Sequence, residues 1–143
     1  MTRSLCMKIK HIAYLCCMIM TFSLFSCMTV PKESEIPEDS TPADLTQKAQ
    51  EAFDSGNYRA ARVYYEVILK RFATDESACV AAEYEIAHLH IKKHQWKDAY
   101  TILEKIIAKY EGPMAMHLPP DYYKLAKIDH TRAAEKLRIK AKQ

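Results

Sequence analysis

Glycine is scarce in this chain, which has two glycines, Gly56 and Gly112, among 143 residues. Six prolines are present, and none of them lies between residues 43 and 111. Tight turns depend on glycine and proline, so this composition argues against a turn-rich all-β fold. A long stretch without proline favours α-helices, because proline breaks the interior of a helix.

An apolar run long enough to cross a bilayer is also missing. The best candidate, residues 12–25, contains no charged residue, but its 14 residues are fewer than the ~20 that a spanning helix needs. Three basic residues precede it: Arg3, Lys8 and Lys10. A positive start followed by a short apolar stretch is typical of a secretory signal. We predict that residues 1–26 form a signal peptide that starts at Met1 or at Met7.

The end of this leader, Leu24-Phe25-Ser26-Cys27, resembles the processing site of bacterial lipoproteins. Phe25 is bulkier than the usual residue, as in the relaxed signals of some spirochaetes and Bacteroidetes. The resemblance implies cleavage before Cys27 and attachment of lipid to its sulfur. Met28 is not the aspartate that retains lipoproteins in the inner membrane of enteric bacteria. The expected location is therefore the outer membrane, facing the periplasm.

Removal of the leader changes the charge and the cysteine content. The three basic leader residues account for part of the 21 Lys and Arg, and the remaining 18 balance the 18 Asp and Glu. A nearly neutral domain gives no reason to expect nucleic acid as a partner. Of the five cysteines, Cys27 and Cys79 would remain, and lipid would occupy the first. No intramolecular disulfide is expected, and Cys79 is predicted to be a small buried side chain.

Residues 27–41 are predicted to form a lipidated, flexible tether. The segment is rich in charged residues and contains Pro31 and Pro37. Its few apolar groups would not offset the entropy lost on ordering the backbone. We expect such a tether to hold the folded domain some tens of ångströms from the lipid.

Residues 42–143 are predicted to form an all-α domain. Thr41-Pro42-Ala43-Asp44 has the residue types of a helix N-terminus. Apolar side chains at helical spacing predict four helices, which span about residues 42–54, 58–72, 74–93 and 96–110. A C-terminal helix that starts near Pro120 is expected to cap the stack, with a break near Asp129 as the alternative.

The two predicted hairpins share a sequence pattern at a constant offset of 38 residues, the spacing from Gly56 to His94. Gly56-Asn57-Tyr58-Arg59-Ala60-Ala61 aligns with His94-Gln95-Trp96-Lys97-Asp98-Ala99, and Ala49 aligns with Ala87 at the same offset. We call residues that this offset connects repeat-related. Small residues at such positions let two helix axes approach closely. The pattern resembles the tetratricopeptide repeat family, whose unit is a helix-turn-helix of ~34 residues. His94 replaces the usual turn glycine.

This resemblance implies a helix-turn-helix repeat solenoid, made of two hairpins and a capping helix. It is closest to the repeats of periplasmic lipoproteins, including the outer-membrane-assembly lipoproteins of the BamD type. In that family the first helix of each hairpin lines a concave groove that binds a partner. The matched positions in this chain are Gln50, Phe53, Asp54, Tyr84, His88, Ile91 and Lys92. Phe53 and Ile91 could equally be core residues, whereas Tyr84 is expected to be exposed.

Catalytic and metal chemistry are not predicted. His88, His90 and His94 are close in sequence, but the first two point about 200° apart on a helix. No carboxylate or cysteine completes a tetrahedral metal site, and Cys79 with His88 lacks an orienting third group. The sequence therefore predicts a non-enzyme without a metal or cofactor.

Recognition is the function that these features favour. The leading hypothesis is a lipid-anchored adaptor that binds an envelope protein. One alternative is a small-molecule-binding lipoprotein accessory to a solute transporter, with Tyr64, Trp96 or His117 lining a pocket. The other is a self-associating structural lipoprotein, and the sequence leaves the oligomeric state open.

Overall fold

The computed structural model describes residues 29–113 and 115–138. Across these ranges the chain is helical and contains no strand, which confirms the predicted all-α class. The predicted signal peptide, residues 1–26, and Cys27 lie outside the described residues. The helices in the described ranges are α1 (Pro42–Asp54), α2 (Tyr58–Arg71), α3 (Glu76–Lys92), α4 (Trp96–Tyr110) and α5 (Pro120–Leu137). Short 3₁₀ helices cover Glu33–Glu35 and Ala115–His117.

Side-chain caps define where the first three α-helices begin. At α1, the Asp44 amide donates to Thr41 Oγ1 at 3.2 Å, and the Thr41 amide donates to Asp44 Oδ2 at 2.9 Å. Asn57 and Asp75 accept the corresponding amide hydrogen bonds at the starts of α2 and α3. These caps satisfy amides that have no partner within the first turn of a helix.

The turns of the α1–α2 and α3–α4 hairpins coincide when the two hairpins are aligned at the repeat offset. α1 ends at Asp54 and α3 at the repeat-related Lys92, and α2 begins at Tyr58 and α4 at the repeat-related Trp96. α3 starts earlier than the alignment alone requires, because Asp75 caps an additional first turn. The described hairpins therefore share the position of the turn between their two helices.

Paired alanines allow the helices of each hairpin to pack closely. Four of them are fully buried at repeat-related positions: Ala49 with Ala87, and Ala61 with Ala99. Tyr65 and Leu103, which are also repeat-related, fill the two hairpin cores. Each large side chain buried in this way contributes about 1.5–3 kcal/mol.

The α5 helix closes the second hairpin. It packs mainly on α4 and also touches α3, with Ala126, Ala133 and Ala134 buried on its inner face. The helix runs without interruption through Asp129. The structure therefore has the single capping helix and not the alternative with a break.

Residues 29–41, which we call the strap, lie against the α1–α2 hairpin. The Ile36 side chain is 4% exposed and belongs to the core of that hairpin. The Arg71 guanidinium donates to the carbonyl oxygens of Pro37 at 2.7 Å and Ile36 at 3.0 Å. The Asn57 side-chain amide donates to the Thr29 carbonyl at 2.8 Å.

The prediction of a flexible tether was therefore wrong for residues 29–41. It rested on the small number of apolar groups in this segment. The segment is ordered because α2 supplies hydrogen-bond donors to its backbone carbonyls, while one isoleucine anchors it in the core.

Candidate binding groove

A recess lies where α1 and α3 face each other. It is lined by Gln50, Phe53, Tyr84, Glu85 and His88 and has a volume of about 200 Å³. Four of these five residues are among the predicted partner-binding positions. The fifth, Glu85, was not among the positions matched to the repeat family. We call this recess the groove.

The remaining predicted site residues lie at its rim or away from it. Lys92 is exposed, and its ammonium lies 5.7 Å from the centroid of the Phe53 ring. Asp54 is exposed at the end of α1, beside Phe53 in sequence. Ile91 is 3% exposed and belongs to the second core cluster, so its assignment to the partner surface was wrong.

Tyr84 is 7% exposed, so the prediction that it is exposed was also wrong. Its hydroxyl donates to Asp129 Oδ2 at 3.0 Å, and its ring lies 5.6 Å from that of Tyr122. Both partners are on α5. The helical pattern of α3 alone could not show that the capping helix covers this tyrosine.

A buried carboxylate supports the floor of the groove. Asp129 accepts the hydroxyl of Tyr84, and its Oδ2 lies 3.4 Å from His88 Nδ1. Hydrogen bonding to His88 lowers the pKa of Asp129, and the bond from Tyr84 acts in the same direction against the effect of burial. Asp129 is therefore an anion at neutral pH, held under the groove by residues of α3.

Glu85 brings a second carboxylate to the groove itself. Burial raises its pKa, and His88 and the Gln50 side chain oppose this shift. The Gln50 amide nitrogen also donates to the Tyr65 hydroxyl at 2.7 Å, which fixes its orientation. Among the described residues, no Lys, Arg or His nitrogen lies within 4.0 Å of the Glu85 carboxylate.

Aromatic rings form the walls. The Phe53 ring lies 5.3 Å from Tyr58 and 6.0 Å from the His88 ring, measured between centroids. The Tyr84 and His88 rings are 6.2 Å apart. Rings packed against one another lose little freedom on binding, so they provide a firm surface for a ligand.

His88 and His90, which were not expected to bind a metal together, contact different side chains. His90 Nδ1 bonds to Gln95 Oε1 at 2.9 Å, while His88 faces Asp129. Within the described residues, no group of three His, Cys, Asp or Glu side chains is placed to hold a metal ion. The Cys79 thiol donates to the Phe72 carbonyl oxygen at 3.3 Å, and burial raises its pKa, which disfavours a reactive thiolate.

The residues named for a small-molecule pocket do not share one site. Tyr64 lines a recess between the strap and α1, together with Thr29 and Lys48. Trp96 lies under Arg132 of α5, whose guanidinium carbon is 6.0 Å from the ring centroid. His117 is exposed. Of the helices in the described ranges, none has the length and apolar character to span a bilayer.

Comparison with known proteins gives a relative without an assigned function. No protein-family profile matches the chain, and no solved structure matches it. An uncharacterized protein of Treponema pallidum is 46% identical over 118 residues, which cover 82% of this chain and 47% of that relative. The chain thus spans about half the length of the curated relative it matches.

Proposed function

We propose that this protein is a lipid-anchored adaptor whose groove binds a segment of a cell-envelope protein. The observation that carries the proposal is the convergence of Gln50, Phe53, Tyr84 and His88 on one open recess. These residues were predicted from the resemblance to tetratricopeptide repeats, and they lie on two helices that are distant in sequence. The coincident turn positions of the two hairpins support a tetratricopeptide-like repeat solenoid as the scaffold.

The size of the groove favours a protein segment over a free small molecule. Pockets for drug-sized ligands have volumes of about 300–1,000 Å³. The groove is smaller, at about 200 Å³, and open to solvent. Such a recess suits one anchoring side chain of a longer segment, with the rest of the segment lying along α1 and α3.

Lipid on Cys27 would place the domain close to a membrane, which we propose is the outer membrane, on its periplasmic side. Asn57 holds the Thr29 carbonyl at the α1–α2 turn. Thr29 is two positions after Cys27, and two extended residues span at most about 7 Å. The α1–α2 turn would then lie near the bilayer surface, with the groove held in a defined position relative to it.

Crosslinking in cells tests the adaptor proposal. A photoreactive residue at position 92, beside the groove, is expected to capture an envelope protein, and Phe53→Ala is expected to abolish this capture. A matched probe at Arg62, exposed on α2, serves as the control. Equal capture from both positions, or capture that is insensitive to Phe53→Ala, contradicts the proposal. Loss of fatty-acid labelling in Cys27→Ser tests the anchor separately.

Self-association is a second candidate, supported by an apolar pair on the capping helix. Leu125 and Ile128 lie one turn apart on α5 and are 40% and 57% exposed. Sedimentation of the protein over a range of concentrations tests it. A concentration-dependent dimer that Ile128→Lys dissociates would favour self-association, and a monomer at all concentrations would contradict it.

A further inference from the structure

The groove combines carboxylates with aromatic faces, and this chemistry selects its occupant. We propose that it binds a basic side chain, Lys or Arg, of the partner segment. This inference rests on the proposed function, because it specifies what the adaptor recognises. Three observations carry it: an ion-unpaired carboxylate in the groove, a second carboxylate beneath it, and a ring face that already receives an ammonium.

The Glu85 carboxylate is the first. It lines the recess and has no ionic partner within 4.0 Å among the described residues. Its partial burial raises its pKa, as expected for a charge that is incompletely compensated. An ammonium or guanidinium entering the recess would supply that compensation and form a charge-assisted hydrogen bond.

Asp129 and the exposed Asp54 extend the negative potential around this point. Asp129 lies under Tyr84 and His88, both of which line the recess. Asp54 lies next to Phe53 in α1. Against these carboxylates stand Lys92 at the rim, Arg132 near Asp129 and, when protonated, His88. While His88 is neutral, the three carboxylates outnumber the two cations, and this excess favours a cation over an anion in the recess.

The Phe53 ring provides the third observation. The Lys92 ammonium lies 5.7 Å from its centroid, within the range of a cation–π interaction. One face of this groove residue is thus accessible to an ammonium carried by a long, exposed side chain. A basic residue of a partner can use the same attraction from the recess side, and the volume of about 200 Å³ accommodates a single side chain.

Peptide selection followed by a double-mutant cycle tests this proposal. The full chain in detergent micelles is used to select binders from a displayed library of random peptides. Binders whose affinity falls with Phe53→Ala are kept, since these occupy the groove. Each basic residue of such a peptide is then replaced by norleucine, and the dissociation constant is measured with the wild type, Glu85→Gln and a control, Glu135→Gln. Glu135 is exposed on α5.

We expect one norleucine substitution to weaken binding to the wild type and to Glu135→Gln by about tenfold, the usual size of a hydrogen bond to a charged group. The same substitution should change the affinity for Glu85→Gln very little, because this variant lacks the carboxylate that the basic residue pairs with. Groove-binding peptides without a required basic residue would overturn the cation proposal and leave the adaptor proposal standing. If no binder depends on Phe53, both proposals fail.

Discussion

His94 has the same left-handed backbone conformation as Gly56, the repeat-related residue of the first hairpin. Their φ angles are 58° and 78°, and each lies two positions after the last residue of the first helix of its hairpin. Glycine adopts this conformation without strain, whereas for a residue with a Cβ it costs roughly 1–2 kcal/mol. The second hairpin therefore keeps the turn of the first although it has lost the glycine.

Gly56→Ala is expected to lower the free energy of unfolding by about 1 kcal/mol. An added Cβ at Gly56 would meet no atom within 4 Å, so the loss would come from the backbone alone. Denaturant unfolding measures it. Gly112→Ala is the control, because φ at Gly112 is not left-handed and its Cβ would make an ordinary contact at 3.5 Å. Equal losses in both variants would contradict this account.

Arg71→Ala is expected to release the strap from α2. Its guanidinium donates hydrogen bonds to the carbonyl oxygens of Pro37 and Ile36, which lie 34 and 35 residues earlier in the chain. Loss of charged donors of this kind costs about 2 kcal/mol. Hydrogen exchange of the amides in residues 33–41 should accelerate, while that of α4 should change little.

The matched control for the strap is Arg62→Ala. Arg62 is on the same helix and forms an exposed ion pair with Glu66 at 2.7 Å, with both side chains about half exposed. Such pairs contribute about 0.2–1 kcal/mol, and this one does not contact the strap. If Arg62→Ala accelerates exchange in residues 33–41 as much as Arg71→Ala does, the guanidinium does not hold the strap.

Local signals in the sequence were sufficient to predict the helices. The Thr41 cap, the repeat-related alanines and the aromatic starts of α2 and α4 all operate within one helix or one hairpin. Because these determinants lie close together in sequence, the predicted helix boundaries agree closely with those of the structure. The groove positions on the facing helices α1 and α3 came from the resemblance to tetratricopeptide repeats and not from helical periodicity.

Long-range contacts account for what the sequence did not predict. The hydroxyl of the buried Tyr84 bonds to Asp129, 45 residues away, and Arg71 bonds to Pro37 of the strap, 34 residues away. Both contacts pair a polar side chain with a partner whose position depends on the assembled fold. The local sequence around the strap and around Tyr84 therefore could not indicate either contact.

Tyr84→Phe is expected to lower the free energy of unfolding by about 1–2 kcal/mol, since it removes a donor from the buried Asp129 carboxylate. The phenyl ring keeps its packing against Tyr122, so the effect isolates the hydroxyl. Calorimetry measures it. In the double variant Tyr84→Phe, Asp129→Asn, the cost of losing the hydroxyl should shrink, because the charged acceptor is gone. An unchanged cost would show that the bond to Asp129 contributes nothing.

His130→Phe is expected to make stability less sensitive to acid. His130 is buried, stacks on Tyr100 at 4.2 Å, and its burial lowers its pKa despite the opposing charge of Glu104. The unfolded chain, with a histidine pKa near 6.5, therefore binds a proton that the folded chain rejects, and stability falls as pH drops below about 6.5. Urea unfolding at pH 7.5 and 5.5 should show a smaller difference for His130→Phe than for the wild type. The same substitution at the exposed His117 should leave the difference unchanged, and an equal response of both variants would rule out burial of His130 as the cause.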